Sequence, residues 1–276
     1  MSEQHPSMDT GQSTMRRTRD KPVTLTQHDS ILTIRFDAPE RLNSVTADML
    51  TAAADAVESA AHDLSIRVVV LTGTGRAFCS GAYLAGQSDT ASDRPDMSLI
   101  DAANRLTSAL AALAKPVVCA LNGLAAGVGV SIALACDLVV AREDAYFLLA
   151  FTKIGLMPDG GATLLVAASL GRSRALQLAL LAEPLLIREA VAAGLVWSVH
   201  DRDSFSGAVD ELTTRLAVGP VSALGHTKRA INAASIPGLT AALRAERVGQ
   251  LELVAGPEFA EGVDAFTNRR EAVFDR

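Results

Sequence analysis

Residues 115–161 read KPVVCALNGLAAGVGVSIALACDLVVAREDAYFLLAFTKIGLMPDGG, and the fold is decided there. Residues 117–121 form an uninterrupted apolar run, the pattern of a strand covered on both faces. Asn122-Gly123 is a turn dipeptide, Gly127 and Gly129 follow, and the chain stays apolar to Cys136. Residues 137–141 return to strand character, and residues 155–161 make a second turn that presents Asp159. The segment therefore reads as strand, glycine-lined turn, buried helix, strand and carboxylate-bearing turn. Glycines leave backbone amides open to a ligand. Amide donors facing one acid are the arrangement that forms and reprotonates an enolate.

Upstream, residues 98–114 carry helical apolar spacing and stop before Lys115-Pro116, since a residue preceding proline is driven out of helical geometry. Residues 66–72 are a β-branched run ending at Gly73, a second strand buried on both faces. Between them, residues 73–82 read as a loop and residues 87–95 as a polar, mobile stretch. Residues 46–63 are alanine-rich at helical spacing, with Thr46 as cap. Residues 23–27 and 31–36 alternate around Asp29-Ser30, a hairpin. Residues 1–22 are polar without an apolar core, which predicts a disordered arm rather than a signal peptide.

Downstream, Gly171-Arg172-Ser173-Arg174 reads as an exposed helix junction and residues 196–199 as the last strand. Residues 204–218, 221–234, 239–255 and 257–274 then read as helices. Strands alternating with crossovers long enough for parallel pairing, followed by a helical end, define an α/β protein.

A chain of 276 residues with 49% hydrophobic and 20% charged residues has room for one large core or a core plus an appendage. Its net charge of −6 and the lack of a basic face argue against nucleic acid as a partner. Cys79, Cys119 and Cys136 show no CxxC spacing, so disulfide and zinc readings are poor and a reducing cytoplasm is expected. The uncharged run of residues 117–136 is long enough to span a membrane, but the Asn122-Gly123 turn divides it into pieces too short to do so. No membrane partner is expected.

Other readings compete with a catalytic one. Asp159-Gly160-Gly161 is equally a turn and helix cap, with the carboxylate satisfying backbone amides. Asp137 reads as structural, and Glu143 with Asp144 as an exposed turn. Gly129-Val130-Ser131 lacks the strand a nucleophile elbow needs directly before it. Gly127 and Gly129 lack the third glycine of a dinucleotide fingerprint. His5, His28, His62, His200 and His226 have no metal-ligand spacing, so no metal site is expected.

Four segments resemble the crotonase (enoyl-CoA hydratase/isomerase) superfamily. They are Pro39-Glu40-Arg41-Leu42-Asn43-Ser44, residues 69–82 ending in Phe78-Cys79-Ser80-Gly81-Ala82, residues 115–129 with Asn122-Gly123 and Gly127-x-Gly129, and Gly155-Leu156-x-Pro158-Asp159-Gly160-Gly161. The resemblance implies a spiral of ββα units over residues 23–200 and a helical oligomerisation region over residues 201–276, forming a homotrimer or dimer of trimers. It implies an acyl-CoA thioester as substrate, with no cofactor besides the CoA the substrate carries. By position, the amides of Ala82 and Val128, each preceded by a glycine (Gly81, Gly127), form an oxyanion hole. Arg41 and Arg76 approach the CoA phosphates, and Phe266 and Arg269 touch CoA, often from a neighbouring subunit. Tyr83 stands where the family commonly has Asp, and by position Gly81, Tyr83, Gly127, Ser131 and Phe151 are expected to contact the substrate.

The two glutamates that hydratases of this family use correspond to Ser131 and Phe151, and neither supplies acid/base chemistry at neutral pH. Asp159 matches a catalytic Asp of phenylacetate-type ring-epoxide and enoyl-CoA isomerases, dienoyl-CoA isomerases and an aroyl-CoA dehalogenase. One carboxylate suffices to move a double bond, because it takes a proton activated by the thioester and returns it elsewhere. The resemblance thus implies an enoyl-CoA isomerase with Asp159 as proton shuttle. The alternatives are a hydratase with atypical acid/base residues and an acyl-CoA-binding protein without turnover.

Overall fold

The first sheet begins where the alternating pattern is clearest. In the computed structural model, which describes residues 14–17, 22–84 and 96–274, β1 (Thr14–Arg17), β2 (Val23–His28) and β3 (Ile31–Phe36) are antiparallel neighbours. Part of the expected disordered arm is therefore a strand. The outer edge of β2 offers unpaired backbone groups, and an extended segment satisfies them whatever its side chains. The rest of residues 1–22 except Pro22, and the stretch 87–95 read as mobile, lie outside the described residues.

α1 (Ala47–His62) starts at Thr46, whose hydroxyl accepts from the Met49 amide at 3.3 Å, as the cap reading expects. β4 (Val68–Gly73) then lies parallel to β3, and β5 (Ala77–Cys79) leaves for a second sheet. After α2 (Ser98–Ala112) the pattern repeats. β6 (Val117–Leu121) joins the first sheet, β7 (Leu124–Ala126) the second, and α3 (Val128–Leu134) returns. It repeats again as β8 (Leu138–Arg142), β9 (Tyr146–Leu148) and α4 (Ala162–Leu181). Each turn of this ββα spiral gives one strand to each sheet and then a helix, of which α3 is buried in the core. β10 (Leu185–Leu186) caps the second sheet, α5 (Ile187–Ala192) follows, and β11 (Ser198–His200) closes the first. α6 (Phe205–Ala217), α7 (Val221–Ser235), α8 (Leu239–Val254) and α9 (Pro257–Thr267) complete the chain.

The continuous apolar strands are explained by burial on both faces. Val69, Leu71, Val117, Cys119 and Leu121 point into the main core with α1, α2 and α3, while Val68, Val70, Val118 and Val140 pack on Val209 and Leu212 of α6. Side chains of the size of Val and Leu contribute about 1.5–3 kcal/mol each when fully buried, which fixes the strand register. Lys228 of α7 is buried against Asp137, 3.0 Å away, and donates to the Leu110 carbonyl, so Asp137 is structural. Residues 117–136, the run long enough to span a membrane, fold as β6, β7 and α3 inside this core. Among the described residues one helix, α4, is long and apolar enough by composition to cross a membrane. Gly171 (φ 77°, ψ 158°) breaks its helical geometry at the junction expected there.

The C-terminal helix is shorter than expected. α9 stops at Thr267 because Arg269 takes left-handed backbone (φ 53°) and Arg270 folds back to pair with Glu261 and Asp264. β5, β7 and β9, of three residues each, are not expected from the sequence; such lengths are too short for alternation to register.

Candidate active site

β5 is aimed by two buried asparagines. Asn43 accepts from the Ala38 amide (2.9 Å) and donates to the carbonyls of Thr74 (2.9 Å) and Ala77 (2.7 Å). Asn122 accepts from the Gly73 amide (3.0 Å) and donates to the Gly75 (3.0 Å) and Ala77 (3.1 Å) carbonyls. Phe78 locks the strand by packing edge-on against Phe36, ring centroids 5.9 Å apart. β5 is thereby fixed to the end of β4, and the residues after it are delivered to one place.

Two open amides meet there. Val45 donates to the Gly81 carbonyl and accepts from the Tyr83 amide, both at 2.9 Å, so the Ala82 amide points the other way and has no protein acceptor among the described residues. Val128 is the first residue of α3, where a helix leaves its amides unpaired. Gly129 allows the close approach: a Cβ there would sit 2.5 Å from the Cys79 carbonyl oxygen, so any side chain would push α3 off β5. Gly81 and Gly127 lie back to back, a Cβ on Gly127 meeting the Gly81 Cα at 3.5 Å. Both expected oxyanion donors therefore face a common space.

Opposite them is the Asp159 turn. Gly160 (φ 64°) and Gly161 (φ 91°) reverse the chain in left-handed backbone, which glycine adopts without strain, before α4 begins. Thr107 of α2 donates to the Gly160 carbonyl at 2.9 Å, and Ser131 of α3 donates to the Asp159 carbonyl at 2.6 Å. The main chain of the turn is thus held by α2 and α3. Ser131 is buried behind the turn and does not line the cavity, so its expected contact with substrate is corrected to a clamp on Asp159. The reason is that its hydroxyl is already spent on a main-chain acceptor.

The side chain of Asp159 caps nothing. Oδ2 accepts from Gln250 Nε2 at 2.8 Å, and Oδ1 is buried without a hydrogen-bond partner among the described residues. The amides at the start of α4 go instead to Glu246 of α8, whose carboxylate accepts from Gly161 (2.6 Å), Thr163 (2.9 Å) and the Thr163 hydroxyl. The helix-cap reading of Asp159 fails because another carboxylate has that place. Burial pushes the Asp159 carboxyl up to about 7, the Gln250 donor pulls against this, and the nearby Glu246 adds to it. Such a group exchanges protons readily near neutral pH.

A cavity of about 680 Å³ connects these parts. Leu99, Ile100, Leu148, Phe151 and Phe259 give it apolar walls, and Ala82, Gly127, Val128, Asp159 and Gln250 line it together. Arg41, Arg76 and Lys153 place three cations on its walls, joined by the exposed acids Glu40 and Asp96. The Arg41 guanidinium lies 4.4 Å from the centre of the Tyr83 ring, which accounts for an aromatic residue at that position. Phe266 lines the cavity of its own chain, where α9 packs on the turn Ala150–Ile154. Arg269, two residues beyond the end of α9, does not line the cavity of its own chain.

Gln250, Glu246 and Lys153 are absent from the sequence reading. Glu246 and Gln250 stand four apart on one helix, which is visible in the sequence, but nothing there says that α8 reaches Asp159.

Fold and site together define a class: the chain belongs to the enoyl-CoA hydratase/isomerase family, whose description matches residues 26–276, and it is an enzyme of that family. It is 39% identical over 247 residues to the 1,2-epoxyphenylacetyl-CoA isomerase of Escherichia coli K12, covering 88% of this chain and 94% of that one. The 2,3-dehydroadipyl-CoA hydratase of the same organism is 32% identical over 250 residues, covering 91% and 97%. Among solved structures, an enoyl-CoA hydratase from Mycobacterium avium subsp. paratuberculosis K-10 superposes with a TM-score of 0.86 at 47% identity, covering 92% of this chain and 99% of that one. Isomerases and hydratases are thus both among its relatives.

Proposed function

We propose that this protein is an enoyl-CoA isomerase that shifts a double bond in an acyl-CoA thioester, with Asp159 as the single proton shuttle and the amides of Ala82 and Val128 holding the enolate oxygen. The observation that carries this reading is one buried, incompletely bonded carboxyl across the cavity from two open amides. Each oxyanion donor of this kind contributes about 3–4 kcal/mol to transition-state stability. Glu246 does not line the cavity and its oxygens are committed to α4, so among the described residues no second buried carboxyl is placed to activate water. Phe151 fills the wall where a hydratase of this family would carry an acid.

Incubation with 3-enoyl-CoA and 2-enoyl-CoA tests the proposal. Interconversion of the two without change of mass is expected, and a product heavier by one water as the main outcome would overturn it. Asp159 acts as base in its ionised form, so kcat/KM rises with pH through about 7 and levels above it. A rate–pH profile flat between pH 5.5 and 8.5 would contradict this assignment.

Arg41, Arg76 and Lys153 are the groups we assign to the CoA phosphates. Arg76→Glu is expected to raise KM for the thioester by about tenfold at low salt and by much less at 0.5 M salt, leaving kcat unchanged. A salt-independent change would remove Arg76 from this role. No cofactor beyond the CoA of the substrate is invoked. The three free, buried cysteines support a reducing cytoplasm as the working compartment, and the family resemblance supports a trimer or dimer of trimers.

A further inference from the structure

Asp159 is surrounded by few polar groups, and each has a distinct task. α2 contributes Thr107 and α3 contributes Ser131, both neutral and both spent on main-chain carbonyls of the turn. α8 contributes Glu246 and Gln250, one helical turn apart on a single face and both buried. The charged pair Asp101–Arg247 joins α2 to α8 on their exposed side, away from the turn. Glu246 is therefore the one charged side chain acting on Asp159 among the described residues.

Gln250 divides the two carboxyl oxygens. One amide hydrogen goes to Asp159 Oδ2 and the other to the Met157 carbonyl, both at 2.8 Å, which ties the carboxyl to the start of its own turn. Among the described residues only Oδ1 is left without a protein partner. Glu246 solves a separate problem. The N-terminus of α4 carries about half a positive charge and would favour a nearby carboxylate in its ionised form. Glu246 accepts the Gly161 and Thr163 amides and so neutralises that end of the helix.

We propose that Gln250 and Glu246 are positioning residues for the proton transfer: Gln250 selects Oδ1 as the oxygen that carries the proton, and Glu246 occupies the α4 N-terminus that would otherwise hold Asp159 as a fixed anion. A group that must both accept and return a proton needs neither form to be locked, and the two α8 side chains act on it in opposite senses. This inference rests on the shuttle role given to Asp159 above, and it makes a prediction about the carboxyl itself that does not depend on turnover.

The experiment is a carboxyl 13C NMR titration of Asp-labelled protein without substrate, with the Asp159 resonance assigned by Asp159→Asn. In Gln250→Met the midpoint is expected to rise by about one pH unit, because a donor to the ionised form is lost. In Glu246→Gln, which keeps an acceptor for the α4 amides, it is expected to fall by a similar amount. The base limb of the isomerisation profile should move in the same two directions. Equal or same-direction shifts in the two variants overturn the proposal, as does an unmoved midpoint. If Glu246→Gln does not fold, the Gln250→Met arm decides alone. Opposite NMR shifts in a protein that retains isomerisation as Asp159→Asn would uphold this arrangement while removing the shuttle role.

Discussion

Asp159→Asn is expected to lower kcat for isomerisation by about 10²–10⁴-fold while leaving the affinity for the thioester nearly unchanged. Among the described residues, no other side chain with acid/base capacity near neutral pH is both buried and on the cavity wall. The variant should also be the more stable protein at pH 8. The folded-state value of Asp159 is raised, so between 3.8 and about 7 the folded protein keeps a proton that the unfolded chain has released. Stability is therefore lost as pH rises through this window, and the cost is complete above it. Asparagine carries no such charge, and its amide can donate toward the Gln250 oxygen that lacks a partner. The expected result is a Tm above wild type at pH 8 and similar to it at pH 4, read by calorimetry at both values. An inactive variant that is less stable at pH 8 would mean that the native carboxyl is satisfied in a way the geometry does not show. A fully active one would end the shuttle assignment.

The second large effect is expected far from any reacting atom. Asn122→Ala should destabilise the fold by about 3 kcal/mol, because it strands the buried Gly73 amide at about 1–3 kcal/mol and removes hydrogen bonds to the Gly75 and Ala77 carbonyls worth about 0.5–1.5 kcal/mol each. For a chain of this size that corresponds to a fall in Tm of about 6–12 °C. Asn122 also holds the loop that leads into β5 and so to the Ala82 amide. A loss of kcat should accompany the loss of stability, since a displaced oxyanion donor costs about 10²–10³-fold. Thr213→Val is the control, removing a buried hydroxyl bonded to the Val209 carbonyl within α6 and no contact to the loop. If Asn122→Ala melts within two degrees of wild type, the loop does not depend on it.

Much of this was legible in the chain. Residues 66–72 and 117–121 read as strands covered on both sides, since apart from Arg67 and Thr72 they are apolar, and α1 announced its start through Thr46. The glycines at Gly81, Gly127 and Gly129 and the lone Asp159 marked the two halves of the site before any coordinates. Alternation and periodicity are local properties, and they survive without knowledge of partners. The short strands β5, β7 and β9 escaped notice because three residues hold no period. The role of Ser131 was misplaced because position along a motif does not say which atoms a side chain spends on its neighbours.

Sequence by itself thus determined an α/β chain with open amides on one side and a single candidate acid on the other. Only the tertiary structure decided that Asp159 is a free carboxyl and not a helix cap, because that depends on Glu246, 87 residues away, arriving first at the amides of α4. Which oxygen of Asp159 stays unpaired depends likewise on Gln250. Hydrogen-bond partners of a buried polar group are set by what folding brings within about 3 Å, and distance along the chain carries no information about that.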